Sequence, residues 1–451
     1  MNILHYSLGF PPYRTGGMTK YCMDLIEEQL LKSDKVSLLW PGKNISYTDD
    51  IIIKKRKNYK FKSGSICRSF EMCNPMPVSL LDGIIDVDQF TRDRLFRKLN
   101  EFFTENKFDV FHIHTLMGLP KECIIAAKKA NVRIIFTTHD YFGLCPKCSF
   151  IFNDNICTNA LSCIDCAICN KTALSLKKIK IMQSPFYRFI KQTYIVKKLR
   201  KRHIKVVNYS CSNSYDCNLS NLNKEQVSKY VHLRSYYINM LKNIDIIHFN
   251  SENTKRVYEQ YLDFDKSGRV ISISNKEIKN HKKIKNIKNN KIYVGYLGPQ
   301  SIRKGFFDII KCIDELGNIN NIELVVYNGF AGRDYIKTNA PYTYKQLPKV
   351  MNEIDVLVVP SRWNETFGFT VLEALSYGVP VIVSSNVGAK DLIENGKSGY
   401  IFNNLSELTK ILKGILQKPS MLDKMNAYIV KNVSIKTMKE HEEEIKNIYI
   451  N

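Results

Sequence analysis

The stretch that most constrains this chain is residues 355–384. Asp355-Val-Leu-Val-Val-Pro360 is a short apolar run rich in β-branched residues and closed by a proline. Thr370-Val-Leu-Glu373-Ala-Leu follows, and Gly378-Val-Pro380-Val-Ile-Val opens a second apolar run. A strand apolar on both faces, then a helix, then another such strand belongs in a parallel sheet covered on both sides. The loop carries Glu365 and the helix carries Glu373, eight residues later. This pairing suits a sugar nucleotide. The carboxylates accept from sugar and ribose hydroxyls, while the free N–H groups and dipole of a helix N-terminus favour a diphosphate. Gly368 permits close backbone approach. Thr370-Val-Leu-Glu373 also reads as a capping box, a structural explanation that covers Glu373 but not Glu365.

The same alternation recurs along the chain. Ile3–Tyr6 is a short strand running into the turn-rich Gly9-Phe-Pro-Pro-Tyr-Arg-Thr-Gly16-Gly17, and helical spacing follows from Met18 to Leu31. Phe108–His114, Val132–His139 and Asp245–Ser251 are further apolar strands, and Lys291–Gly298 and Ile322–Tyr327 begin a second series. The expected fold class is α/β, with two Rossmann-like, doubly wound parallel-sheet domains facing a central cleft. Ligands would sit outside the carboxyl ends of the strands. The expected boundaries are 1–274 for the first domain, with an insert at about 143–207, and 275–290 for a solvated Lys/Asn-rich linker. Residues 291–420 form the second domain, and 421–451 a helical tail packing back on the first.

At 451 residues the chain suits two or three domains. No run of about 18 uncharged apolar residues appears, and no basic-then-apolar leader is visible at the start, so the expected compartment is the cytoplasm. There, thirteen cysteines would be thiols, metal ligands or core fillers. The net charge of +24 favours polyanions, anionic lipid or phosphorylated substrates, although Lys, Asn and Ile are over-used throughout the chain.

With Glu365-x7-Glu373, Ala374, Gly378-Val-Pro380-Val and Gly388, the chain resembles the retaining glycosyltransferases of family 4, which have the GT-B fold (glycosyl transferases group 1). Gly16-Gly17 resembles that family's glycine-rich first loop and His139-Asp140 its Thr-x-His-Asp segment. Gly298-Pro-Gln-Ser-Ile-Arg303-Lys304-Gly305 resembles its Gly-Arg-x-x-x-x-Lys-Gly segment, and Asn395-Gly396-Lys-Ser-Gly399 its Glu-x-Gly-x-x-Gly ending. The resemblance implies a nucleotide-sugar donor, a UDP- or GDP-sugar, and a retaining hexosyltransferase that needs no catalytic metal. It implies His139, Arg303, Lys304 and Glu365 as the catalytic set. Arg303 and Lys304 would meet the diphosphate, where two fixed cations stabilise the charge of the departing group. Glu365 would hold the sugar and Glu373 the ribose, with Gly16, Gly17, Gly298, Phe367, Gly368, Phe369 and Thr370 lining the donor site. The implied acceptor is a glycan or polyprenyl-linked glycan of surface polysaccharide. A non-catalytic sugar-nucleotide- or glycan-binding relative, acting as a partner subunit, is the alternative. The chain departs from the pattern at Pro299-Gln300, Ala389 and Asp391. Asp86-Val-Asp88 reads as a loop rather than a metal-binding Asp-x-Asp.

Two segments stand outside that pattern. Cys145, Cys148, Cys157, Cys163, Cys166 and Cys169 fall within 25 residues, with C-x-x-C spacing that fits a structural zinc ligated by four of the six. Unligated thiols, a redox pair and an iron–sulfur cluster are the alternatives. Residues 171–207 hold twelve Lys/Arg and no Asp or Glu. Phe186, Phe189, Ile190, Tyr194, Val196 and Leu199 interleave at helical spacing, which suits either the anionic surface of a membrane's inner face or a solvated basic helix. No nucleic-acid-binding module accompanies the charge, so no nucleic-acid partner is expected.

Overall fold

Ile292-Tyr-Val-Gly-Tyr296 and Val356-Leu-Val-Val359 run side by side in a parallel sheet, and their side chains are buried on both faces. That is why these strands read as unbroken apolar runs. The protein is described from a computed structural model. It covers residues 1–450 apart from 46–47, 81, 96, 153–154, 158–162, 192, 195, 197, 199–223, 265–266, 287–290, 318–319, 328 and 330–331.

In chain order the strands are β1 (Asn2–Tyr6), β2 (Lys35–Pro41), β3 (Ile52–Lys60), β4 (Ile66–Cys73), β5 (Val110–Ile113) and β6 (Arg133–Thr137). The short β7 (Ile151–Phe152) and β8 (Asn155–Ile156) pair with each other, and β9 (Ile246–Phe249) and β10 (Gly268–Val270) follow. Then come β11 (Ile292–Tyr296), β12 (Ile322–Tyr327), β13 (Ile336–Asn339), β14 (Val356–Val359), β15 (Val381–Ser384) and β16 (Gly399–Phe402). The chain divides into two units. One comprises Met1–Phe249, Lys255–Ile271 and Glu442–Asn451, the other Asn250–Thr254 and Ser272–His441.

The first unit holds an eight-stranded sheet in the order β10-β9-β6-β5-β1-β2-β4-β3. Every pair is parallel except β3 with β4. Lys54, Lys55, Arg56 and Lys57 lie on β3, where charge protects an open edge from pairing with another chain. Successive strands are added to one side of β1 and then, from β5, to the other, so the order reverses between β1 and β5. The end of the C-terminal helix (Met438–Ile450) belongs to this unit, with Tyr449 buried and Lys446 3.3 Å from Asp34.

The second unit holds six parallel strands in the order β13-β12-β11-β14-β15-β16. This is the 3-2-1-4-5-6 order of a dinucleotide-binding sheet, and it reverses between β11 and β14. Val294, Leu324, Val356, Val358 and Ile382 form the core with Ile309, Ile313, Leu408 and Leu412 from the covering helices.

Two local expectations change. The segment read as a solvated linker lies within the second unit and is tied to it. Ile278 is buried, and Lys282 Nζ donates to the carbonyl of Ile429 at 3.2 Å and to that of Val433. An ammonium there adds a charged donor to the carbonyls at the end of the Ser420–Asn432 helix, where Ile429 C=O also accepts from Val433 N–H at 3.2 Å. Lys285 pairs with Asp355 at 3.1 Å. The Thr370/Glu373 capping box is also absent. The helix runs Phe369–Ser376 with Gly368 as its N-cap at φ 106°, so Thr370 already lies inside it.

Candidate active site

The second unit's site lies where its strand order reverses. Arg303 and Lys304 follow β11, and the Phe306–Asp314 helix begins directly after them, capped by Gly305 at φ 71°. A Cβ on Gly305 would stand 1.9 Å from the carbonyl oxygen of Pro360, so only glycine lets this loop close on the end of β14. The backbone then holds both loops together, with Arg362 N–H donating to Arg303 C=O at 3.0 Å. Lys304 Nζ reaches Glu365 Oε1 at 2.7 Å, and the Ser361 hydroxyl donates to the same oxygen. Glu365 is 6% exposed. Its main chain bridges to Val387 through Glu365 N–H to Asn386 C=O at 2.9 Å and Gly388 N–H to Glu365 C=O at 3.0 Å.

The Arg303 guanidinium and the Lys304 ammonium each lie 5.1 Å from the centre of the Trp363 ring. Cations against an indole face are stabilised by its quadrupole. Arg362 is drawn aside by Asp308, with Nε to Oδ2 at 2.7 Å. Gly368, Phe369 and Thr370 form the start of the helix beside Glu365, with Phe367 buried against Phe369. Glu373, buried on that helix, adds its negative charge to the burial that raises the Tyr342 and Tyr377 phenols. Burial likewise raises Tyr296, with the Glu365 charge as the second cause. Gly298 packs against Tyr296, whose hydroxyl donates to Pro299 C=O at 2.7 Å.

In the first unit, Gly16 caps the Gly17–Leu31 helix at φ 122°. One turn in, Tyr21 packs on the His139 ring with centroids 4.7 Å apart. Asp140 accepts from the Thr115 hydroxyl at 3.0 Å and from Phe142 N–H at 2.9 Å, yet burial pushes its carboxyl up to about 6. His139 also joins His114, with 3.3 Å between ring nitrogens.

The six cysteines all stand outside disulfides. Among the described residues, the His/Cys/Asp/Glu group that brings its ligand atoms within 4.8 Å of one another is His5, Cys22 and His114, and no three of the six cysteines do so. Arg234 Nη2 instead donates to Cys166 Sγ at 3.6 Å. The Cys163 thiol is lowered to about 7 by a hydrogen bond from Cys166 and by Arg234, while that bond and burial raise Cys166. A guanidinium beside these sulfurs favours a thiol–thiolate pair over the four converging sulfurs that a structural zinc needs. Cys148 Sγ turns to Leu80 C=O at 3.8 Å.

Asp86 accepts from Leu176 N–H at 2.8 Å, and Asp88 lies 3.5 Å from Lys229. In the basic segment, Leu176–Met182 and Pro185–Ile190 are short helices on which Ile181 and Phe186 are exposed. Tyr194 is exposed too, but the side chain of Phe189 and the whole of Leu199 lie outside the described residues. No helix among the described residues is long and apolar enough to cross a membrane.

Several participants were not anticipated from the chain. Trp363 is one of two tryptophans and sits two residues before Glu365, a signal that was available. Ser251, Asn253 and Thr254 gave no signal. Their side chains donate to the backbone of the Glu365 loop, Ser251 Oγ to Thr366 C=O at 2.6 Å and Asn253 Nδ2 to Asn386 C=O at 2.9 Å.

Residues 277–432 match the family model described as "Glycosyl transferases group 1". A 41.2 kDa protein in the cps region of Klebsiella pneumoniae is 44% identical over 59 residues, 13% of this chain and 16% of the relative. The chain therefore spans under a fifth of that relative's length. A 42.6 kDa protein of the Klebsiella pneumoniae cps region is 20% identical over 91% of this chain and 92% of its own. The solved structure of Anabaena HepE in complex with UDP superposes with a TM-score of 0.55 at 13% identity, covering 99% of both chains. The chain thus has a GT-B fold whose residues 277–432 carry the glycosyl transferases group 1 pattern.

Proposed function

We propose that the protein is a retaining glycosyltransferase. It would move a sugar from a UDP- or GDP-sugar to a glycan or lipid-linked glycan in surface-polysaccharide biosynthesis. The observation that carries this reading is the Lys304–Glu365 pair at the strand-order reversal of the second unit. A carboxylate, two cations and a helix N-terminus lie there on adjacent loops. As the glycosidic bond lengthens, negative charge collects on the departing diphosphate. Arg303, Lys304 and the N–H groups at Phe369 and Thr370 are the groups that stabilise it. Glu365 accepts from sugar hydroxyls and Glu373 from ribose. The Trp363 indole N–H is buried without a hydrogen-bond partner, as a donor meant for a ligand would be. His139, with Gly16 and Gly17, is the corresponding group of the first unit.

The UDP in the Anabaena structure supports a nucleotide-sugar donor, and the two cps-region relatives support a polysaccharide role. Exposed Ile181 and Phe186 among Lys177, Lys178 and Lys180 support an acceptor presented at an anionic membrane surface.

The test is a panel of UDP- and GDP-sugars read by thermal shift and then by donor turnover. One donor should stabilise the wild type and be turned over, and both effects should vanish in Lys304→Ala and Glu365→Ala. Turnover that survives both substitutions would overturn the assignment. Binding without turnover under every acceptor tried would favour the non-catalytic relative.

A further inference from the structure

Five of the nine histidines converge at the strand-order reversal of the first unit. His5 is the register partner of His112 on β1 and β5, His114 comes directly after β5, His139 follows β6, and His248 lies on β9. A satisfied core histidine is ordinary, but five linked through shared partners are not a packing accident.

The protons in this cluster can be assigned from one end. His248 Nε2 lies 2.7 Å from the carbonyl oxygen of Ile271, which can only accept, so this nitrogen carries the proton. His248 Nδ1, 2.9 Å from Thr137 Oγ1, then accepts from the hydroxyl. Thr137 in turn accepts from His112 Nε2–H at 2.7 Å, and His112 Nδ1 accepts from the Tyr449 phenol at 2.6 Å. Tyr449 accepts from the Gln29 amide N–H at 3.1 Å, and Gln29 Oε1 accepts from His5 Nε2–H at 2.7 Å. His5 Nδ1 accepts from His114 Nε2–H at 2.9 Å, and His114 Nδ1 accepts from His139 Nε2–H at 3.3 Å.

The rule works only if each ring is neutral, with one N–H and one lone pair. Burial enforces this at His5, held down to about 4, and at His114, held well below the ordinary range, where the neighbouring rings add to the effect.

We propose that these groups form a hydrogen-bond wire of single direction, running from His139 to Ile271, whose purpose is to hold His139 in the Nε2–H tautomer. His139 Nδ1 is then an acceptor only, and whatever meets it must donate a proton. Gln29, Tyr449, Thr137 and the other four histidines are positioning residues. That His139 serves a sugar-transfer site rests on the function proposed above; the wire itself does not.

The test is nitrogen NMR of the full chain labelled with 15N-histidine, in which the two neutral tautomers and the imidazolium give distinct shifts. At pH 7.5 all five rings should report Nε2–H. Gln29→Leu removes the acceptor of His5, so His114 and His139, which residue 29 does not touch, should begin to exchange between tautomers. Tyr449→Phe unties the Gln29 amide from His112, so it should likewise release His5, His114 and His139 while His248, pinned by the Ile271 carbonyl, stays Nε2–H. A wild-type His139 found as Nδ1–H or as imidazolium would overturn the proposal. So would a Gln29→Leu spectrum altered at His5 alone, or a stoichiometric zinc found on His5, Cys22 and His114. The wild-type and Tyr449→Phe spectra decide the matter even if Gln29→Leu does not fold, and neither depends on any activity.

Discussion

Lys304 and Glu365 follow neighbouring strands of the second sheet, β11 and β14, and end 2.7 Å apart, ammonium to carboxylate. Each therefore holds the other in place before any ligand arrives. Lys304→Ala should lower donor turnover by about 10²–10³-fold, the usual loss when one preorganised charge is removed from a site. Glu365→Gln keeps an acceptor for Lys304 and Ser361, so it should fold like wild type and lose turnover alone. Steady-state kinetics beside urea denaturation separates the two effects.

Gly305 and Gly317 have nearly the same backbone, φ 71° and 74°, in different surroundings. A Cβ at Gly317 meets nothing within 4 Å, whereas one at Gly305 meets the Pro360 carbonyl at 1.9 Å. Gly317→Ala should cost about 1 kcal/mol, the left-handed penalty alone. Gly305→Ala should cost about 3 kcal/mol or more and weaken donor binding, because the β14 loop must move. Chemical denaturation of the two variants side by side would expose the difference.

Arg234 is buried and bonds the Leu144 carbonyl at 3.0 Å as well as Cys166. Arg234→Ala should destabilise the first unit by about 2–4 kcal/mol, since the buried Leu144 carbonyl and the Cys166 sulfur both lose their donor. The Cys163 thiol should also titrate at higher pH. Thiolate absorbance at 240 nm against pH, compared with Cys163→Ser, would follow that shift.

Acid should act on the first unit in two opposed ways. His5 stays neutral when folded, with its pKa lowered from 6.5 to about 4. The unfolded chain therefore binds a proton that the folded one refuses, and stability from His5 is lost between pH 6.5 and 4, by about 3 kcal/mol in all. Asp140 is raised from 3.8 to about 6, so its contribution is full at low pH and is lost as pH rises through 6. Asp140→Asn should therefore gain on the wild type from pH 4 to 6 and hold a constant difference above that. Urea midpoints across this range provide the comparison, and a flat difference would contradict the burial assigned to Asp140.

Much of the fold was legible in the residues. The runs at 292–296, 322–327, 356–359 and 381–384 are apolar but for Glu323 and Ser384, because parallel strands covered on both faces leave no polar side. The loop residues Lys304, Glu365 and Gly368 could be singled out by spacing. What spacing could not show is that β14 lies beside β11, which is what brings Lys304 to Glu365. The capping box misled because Thr370 and Glu373 have the right interval, but Gly368 at φ 106° starts the helix earlier. The linker misled because lysines look solvated until the helix end they cap is known.

The histidine wire marks the limit most clearly. Only His112-x-His114 is local, and its partners range from His5 to Tyr449. Periodicity and propensity act over a few residues, so the chain by itself determined which segments are strands and helices and which loops carry charge. Strand order and register are decided by burial of whole sheets against their helices. Only the tertiary structure could therefore place one tyrosine near the C-terminus between a glutamine of the first helix and a histidine of the fifth strand.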